Sequence, residues 1–221
     1  MIYPVGDTGS QEEFERDWYI ASGFGVNRGT YYHEGLDINL RTGGDTDLGR
    51  EIKAISKGRI VYYHTSHANT PNTFGRHLVY KIDGPWGSRW IHCAHMAPED
   101  FKGSEQEVSE GQIIGRIGKS GTQFAHLHFA VFKTDPVQFG IDNIANTLAE
   151  LHQYWDDPLL FIRTNQVVAP IPAPVTDQSK FDFGDGFGVI ELQQARSILQ
   201  DQKRNILSLE SKLSQIRTIA G

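Results

Sequence analysis

His126-Leu127-His128 is the most constraining short motif in the chain. On a strand, residues two apart project to one face, so His126, His128 and Ala130 point together while Leu127, Phe129 and Val131 line the opposite, apolar face. Two imidazoles side by side can bind a metal ion, pass a proton or simply meet solvent. His33-Glu34-Gly35-Leu36-Asp37 is a second element. The separation of four between His33 and Asp37 is even, so an extended segment presents both on one side, and imidazole plus carboxylate suits Zn²⁺. A helical alternative, a truncated zincin signature with Glu34 as general base, needs a second His where Asp37 stands; Gly35 and the β-leaning Tyr31-Tyr32 also oppose a helix. On the extended reading Glu34 is a solvated neighbour. The third element is His92-Cys93-Ala94-His95. Strict alternation puts Arg89, Ile91, Cys93 and His95 on one face and Trp90, His92 and Ala94 on the other, so only one of the two histidines can face a site on a given side of the sheet.

The elements that must carry these motifs are short β segments separated by Gly, Pro, Asn and Ser clusters, the pattern of an antiparallel all-β domain. Strands are expected at Ile52–Tyr63 with a break at Gly58, and at His77–Ile82, Arg89–His95, Gln112–Ile117 and His126–Phe132, with a hairpin turn at Pro85-Trp86-Gly87. Ile144, Leu148 and Leu151 fall at helical spacing and predict one inserted helix over Asp142–Trp155. The three prolines of 168–174 mark a linker after the β domain. From Glu191 apolar residues alternate three and four apart, interrupted at Gln202, for about four heptads, which predicts a C-terminal amphipathic, coiled-coil-like helix. The expected organisation is a sheet or sandwich domain over 1–165, a linker and irregular segment over 166–190, and a heptad helix over 191–221.

Composition narrows the chemistry. The 221 residues hold nine His and one Cys, so Cys93 has no disulfide partner and any zinc would be held through nitrogen and oxygen. A net charge of −6 and a pI near 5.8 argue against nucleic acid as the main partner. No apolar run has spanning length, and no secretory signal is visible at Met1.

The ordered set His33-x-x-x-Asp37, Cys93-Ala-His95-Met96 and Ala125-His126-Leu-His128-Phe129 resembles the lysostaphin-type zinc metalloendopeptidases, which cut the peptide part of bacterial peptidoglycan. The likeness extends to Ser22-Gly-Phe-Gly25, Ala54–Val61, Gly111–Gly115, Gly118–Gly121 and Asp157-Pro158-Leu159, covering roughly Met1 to Asn165. It implies an all-β metallopeptidase fold and one catalytic Zn²⁺ held by His33, Asp37 and His128. It implies His95 and His126 as catalytic histidines that are not ligands, with their acid and base roles undivided. It also implies action on the cell wall, reached by a phage, by a route other than a visible signal, or as part of a longer exported protein.

Other readings compete. A silent domain of the same fold could bind cell wall or activate a partner hydrolase. The hairpins at Ala54–Val61 and Gly111–Gly118 are also similar to those of lipoyl or biotinyl carriers, though neither Lys57 nor Lys119 stands in an acceptor motif. The heptad helix admits self-association, or packing on the β domain. The remaining histidines are read plainly: His64 and His67 as loop or substrate-rim residues, His77 and His152 as surface or sheet-edge residues, His92 as a hydrogen-bonded packing residue. Cys93 is read as a buried hydrophobe rather than a nucleophile.

Overall fold

Ten strands and four short helices appear along residues 1–65, 73–98 and 106–166, which the computed structural model describes. The order is α1 (Gln11–Asp17), β1 (Trp18–Ser22), β2 (Gly35–Leu40), β3 (Glu51–Lys53), β4 (Gly58–His64), β5 (His77–Gly84), β6 (Gly87–Ala94), β7 (Glu107–Val108), β8 (Ile113–Arg116), β9 (Leu127–Phe132), α2 (Pro136–Phe139), α3 (Leu148–Tyr154), β10 (Trp155–Asp156) and α4 (Pro158–Asn165). Eight strands form one antiparallel sheet, β1-β2-β9-β6-β5-β4-β7, with β10 pairing β9 beyond the end of β2. β3 and β8 form a separate two-stranded sheet. The all-β antiparallel class is therefore what the chain adopts.

The predicted break at Gly58 is a change of sheet: β3 pairs β8, whereas β4 pairs β5. A Cβ at Gly58 would lie 2.3 Å from the Lys81 carbonyl oxygen, so only glycine lets β4 start that close to β5. Pro85-Trp86 closes the β5–β6 hairpin between paired Gly84 and Gly87. The inserted helix is shorter than expected and begins where its cap stands. Thr147 accepts from the Glu150 amide and Glu150 reaches back in a reciprocal capping box, so helix α3 starts at Leu148. The preceding residues instead bridge to the site region, with Tyr32 N–H donating to the Ala145 carbonyl, and a second short helix, α2, is capped by Asp135. The expected heptad helix over 191–221, His67, and all of the linker segment except Gln166 lie outside the described residues.

The sheet has two unlike faces. One is apolar: Leu36, Ile38, Ile60, Leu78, Tyr80, Ile91, Cys93, Leu127, Phe129 and Val131 pack with Tyr3, Phe14, Ile52, Ile55, Ile114 and Phe161 from the N-terminal segment, the small sheet and helices α1 and α4. The other carries a smaller cluster around Ala130, Phe132, Leu151 and Trp155, and beside it the polar residues of the motifs. Phe129 is fully buried between neighbours that carry the site. Phe129→Ala should destabilise the domain by about 3–5 kcal/mol, read as a lowered urea unfolding midpoint.

Candidate metal centre

Register brings the first pair of groups together. In the antiparallel β2–β9 ladder Asp37 lies directly opposite His128, and Gly35 opposite Ala130. Cross-strand partners share a face at the closest spacing a sheet offers. His33 reaches the same point from just before β2, and its orientation is fixed: a carbonyl can only accept, so the Nδ1–H donates to Gly23 O at 3.0 Å, leaving the Nε2 lone pair free. His33 Nε2, Asp37 Oδ1 and His128 Nδ1 then form a triangle with all three edges 3.2 Å. Ligands about 2.0–2.1 Å from a tetrahedral Zn²⁺ stand about 3.3 Å apart, so the triangle fits that ion with one position left open. Among the described residues these three are the group able to hold a metal ion.

Arg28 completes the arrangement from outside. Its Nη2 donates to Asp37 Oδ2 at 2.6 Å and to Ser22 Oγ at 2.8 Å, holding the second carboxylate oxygen away from the triangle. Asp37 stays ionised well below the usual carboxylate range: burial opposes the charge, but the adjoining His128 and His33 rings outweigh it. No spacing rule in the sequence pointed to Arg28.

His95 and His126 stand together beside the triangle, with ring centroids 4.5 Å apart. Both are anchored in the same way, His95 Nδ1–H to Ser120 O at 2.9 Å and His126 Nδ1–H to Phe124 O at 3.0 Å. Each therefore turns an unprotonated Nε2 inward, that of His126 lying 3.7 Å from Asp37 Oδ1. Burial pushes the His95 imidazole down to about 3, helped by the charges of His126 and His128, and burial lowers His126 too. Neutral imidazoles with a free nitrogen are bases at neutral pH.

Strand alternation misplaces His95. The strand ends at Ala94, and His95 follows with φ of 60°, a left-handed turn that swings its ring back to the face carrying His92 and His128. His92 and Ala130 are register partners, and the His92 and His128 rings are 5.7 Å apart, so both histidines of the third motif lie on the site's side. Neither ring nitrogen of His92 has a hydrogen-bond partner among the described residues, contrary to the bonded packing role. His77 is not at a surface: it is 5% exposed, stacked on His64 and edge-on to His92. Glu34 is buried, not solvated. Cys93 faces the apolar core, where burial pushes its thiol far up, which removes it as a nucleophile.

The site floors a cleft of about 640 Å³ whose walls include Tyr31, Tyr62, Phe74, Thr122 and Ile144. Residues 31–139 match the model of peptidase family M23. The chain carries an M23 peptidase domain. Over 124 residues it is 31% identical to outer membrane antigenic lipoprotein B of Haemophilus influenzae, a match covering 54% of this chain and 27% of that protein. It is 28% identical over 115 residues to the murein hydrolase activator NlpD of Salmonella dublin, covering 52% and 26%. The chain thus spans about a quarter of the length of these relatives. Among solved structures it is similar to the catalytic domain of the antimicrobial peptidase lysostaphin from Staphylococcus simulans, at 23% identity over 66% of this chain and 92% of that one, with a TM-score of 0.46.

Gly35 has a specific part in the M23 site. A Cβ there would lie 2.7 Å from Phe129 O and 2.9 Å from His128 Cε1. Gly35→Ala should displace the imidazole and weaken zinc binding at least ~10-fold, the usual scale for losing ligand orientation, in a chain that retains its circular dichroism. Burial pushes His77 down to about 4 from an ordinary 6.5. Between those values the unfolded chain binds a proton that the folded one refuses, so stability falls as the pH drops through that window, by about 3 kcal/mol for this group. Unfolding of the metal-free protein at pH 6.5 and 4 checks this; His77→Gln should reduce the loss of stability between those values by about that amount, with His92 and His95 supplying a remainder.

Proposed function

We propose that the protein is a zinc-dependent endopeptidase that hydrolyses peptide bonds in peptidoglycan cross-links or stem peptides. His33, Asp37 and His128 are the metal ligands in this reading, and His95 and His126 the catalytic histidines. The observation that carries it is the 3.2 Å donor triangle with two neutral imidazoles, each anchored through Nδ1, beside its open side. Zn²⁺ bound there supplies Lewis acidity and a water acidified to a pKa of about 7. His126 or His95 takes the proton from the attacking water at Nε2, and the resulting imidazolium donates it to the leaving amine or faces the developing oxyanion. Arg28 holds Asp37 Oδ2, which leaves Oδ1 turned toward the metal position. The cleft walls admit an extended peptide, whose sequence the walls rather than the ligands select.

The second reading, a silent domain that activates a partner hydrolase at the cell envelope, draws support from the relative named as a murein hydrolase activator. The filled donor set favours catalysis. Among the described residues no helix is long and apolar enough to cross a membrane. Residues 1–165 form the catalytic part of this proposal, and the heptad segment over 191–221 serves self-association or delivery.

Two experiments test it. His128→Ala should lose both zinc and cleavage of purified peptidoglycan, whereas His126→Ala should keep zinc and lose ~10²–10⁴-fold in turnover; stoichiometric zinc with no cleavage by the wild type would support the activator instead. Deleting the chain after Pro174 should leave cleavage of soluble muropeptides unchanged and alter only sedimentation or wall targeting.

A further inference from the structure

Three of the four site histidines share one device. His33, His95 and His126 each donate Nδ1–H to a backbone carbonyl, which fixes both tautomer and ring orientation. His128 differs because its Nδ1 faces the donor triangle. Its other nitrogen, Nε2, must then carry the proton, and a buried N–H needs an acceptor. Nε2 is buried without a hydrogen-bond partner among the described residues.

Glu34 stands on that side. Its Oε1 lies 3.9 Å from His128 Nε2, both side chains are 4% exposed, and its Oε2 is buried without a partner. Of the nine buried side-chain polar atoms left unpartnered among the described residues, five belong to Glu34, His128, His92 and His77, which concentrates the unmet hydrogen bonding directly behind the metal centre. A buried carboxylate with an unused oxygen is costly to the folded chain on its own account. Such a cost persists where the group serves another purpose.

We propose that Glu34 is the positioning carboxylate of the metal centre, accepting a hydrogen bond from the His128 Nε2–H when the metal is bound. A side-chain movement of about 1 Å would close the 3.9 Å gap to a direct hydrogen bond. The backbone assists, since Gly35 leaves the space in which the His128 ring lies against this segment. Glu34 acts through His128 and touches no substrate. It makes the imidazole a more basic ligand, holds the ring so that Nδ1 points into the triangle, and fixes the tautomer that coordination requires. His92 and His77 line the same buried polar space, their rings 5.0 Å apart.

The proposal rests on His128 being a metal ligand, and the test separates the two. Zinc affinity by chelator competition, the visible spectrum of the Co²⁺-substituted full chain, and the melting temperature of the metal-free chain are measured for the wild type, Glu34→Gln and Glu34→Ala. Glu34→Ala should weaken zinc ~10–100-fold and shift the Co²⁺ bands. Glu34→Gln keeps an acceptor without the charge and should fall between. Both metal-free variants should melt no lower than the wild type, because a buried, half-satisfied carboxylate has been removed. Unchanged zinc affinity and Co²⁺ spectrum in both variants would overturn the proposal, as would a lowered metal-free melting temperature with normal zinc binding. A wild type that binds no zinc would instead refute the ligand reading itself.

Discussion

The pairing of β2 with β9 sets Asp37 directly opposite His128, and the rest of the site is arranged around that contact. Strand register is strict here because a slip of one residue would turn Leu127, Phe129 and Val131 out of the apolar core and His128 into it. The core therefore specifies the candidate metal centre: the free energy that buries one face of β9 fixes which groups meet on the other. His33 and Arg28 come from the segment between β1 and β2, and each is tied to Ser22 or Gly23 at the end of β1. Movement of that segment is thus limited by the same sheet.

Around this frame the chain buries more imidazole than solubility or packing requires. His33, His77, His92, His95 and His128 are all buried, and the lowered values at His77, His92 and His95 come first from loss of water. Keeping His77, His92 and His95 neutral leaves their nitrogens unprotonated near pH 7, and it sets a cost that grows in acid. The apolar side of the same sheet, where Cys93 and Leu127 sit, offsets that cost without contributing any chemistry.

Much of this was legible in the residues. Alternation over His126–Phe132 separated the core face of β9 from the face that carries His128, and the turn signal at Pro85-Trp86-Gly87 marked a real hairpin. Helix α1 was missed although Ser10 and Glu13 stand at cap and third position, and the start of α4 was read only as part of a family likeness although Asp157-Pro158 is a cap followed by proline. What sequence could not carry were departures from regular geometry. His95 escapes the parity of its strand through a single left-handed residue, and no local pattern distinguishes that from one more step of β6. Glu34 and His77 were read as exposed because their types favour solvent; what buries them is tertiary, the cross-strand packing of His64, His77 and His92 behind His128. Arg28 reaches Asp37 nine positions further along the chain, a contact without a period.

The central claim is that three particular atoms hold one zinc ion with a fourth position open. Anomalous diffraction at the zinc edge from crystals of the zinc-loaded full chain tests it most directly. The account predicts a single strong peak about 2.0–2.2 Å from His33 Nε2, Asp37 Oδ1 and His128 Nδ1. A peak coordinated through His128 Nε2, or one that takes His95 or His126 as a fourth protein ligand and closes the site, would contradict it.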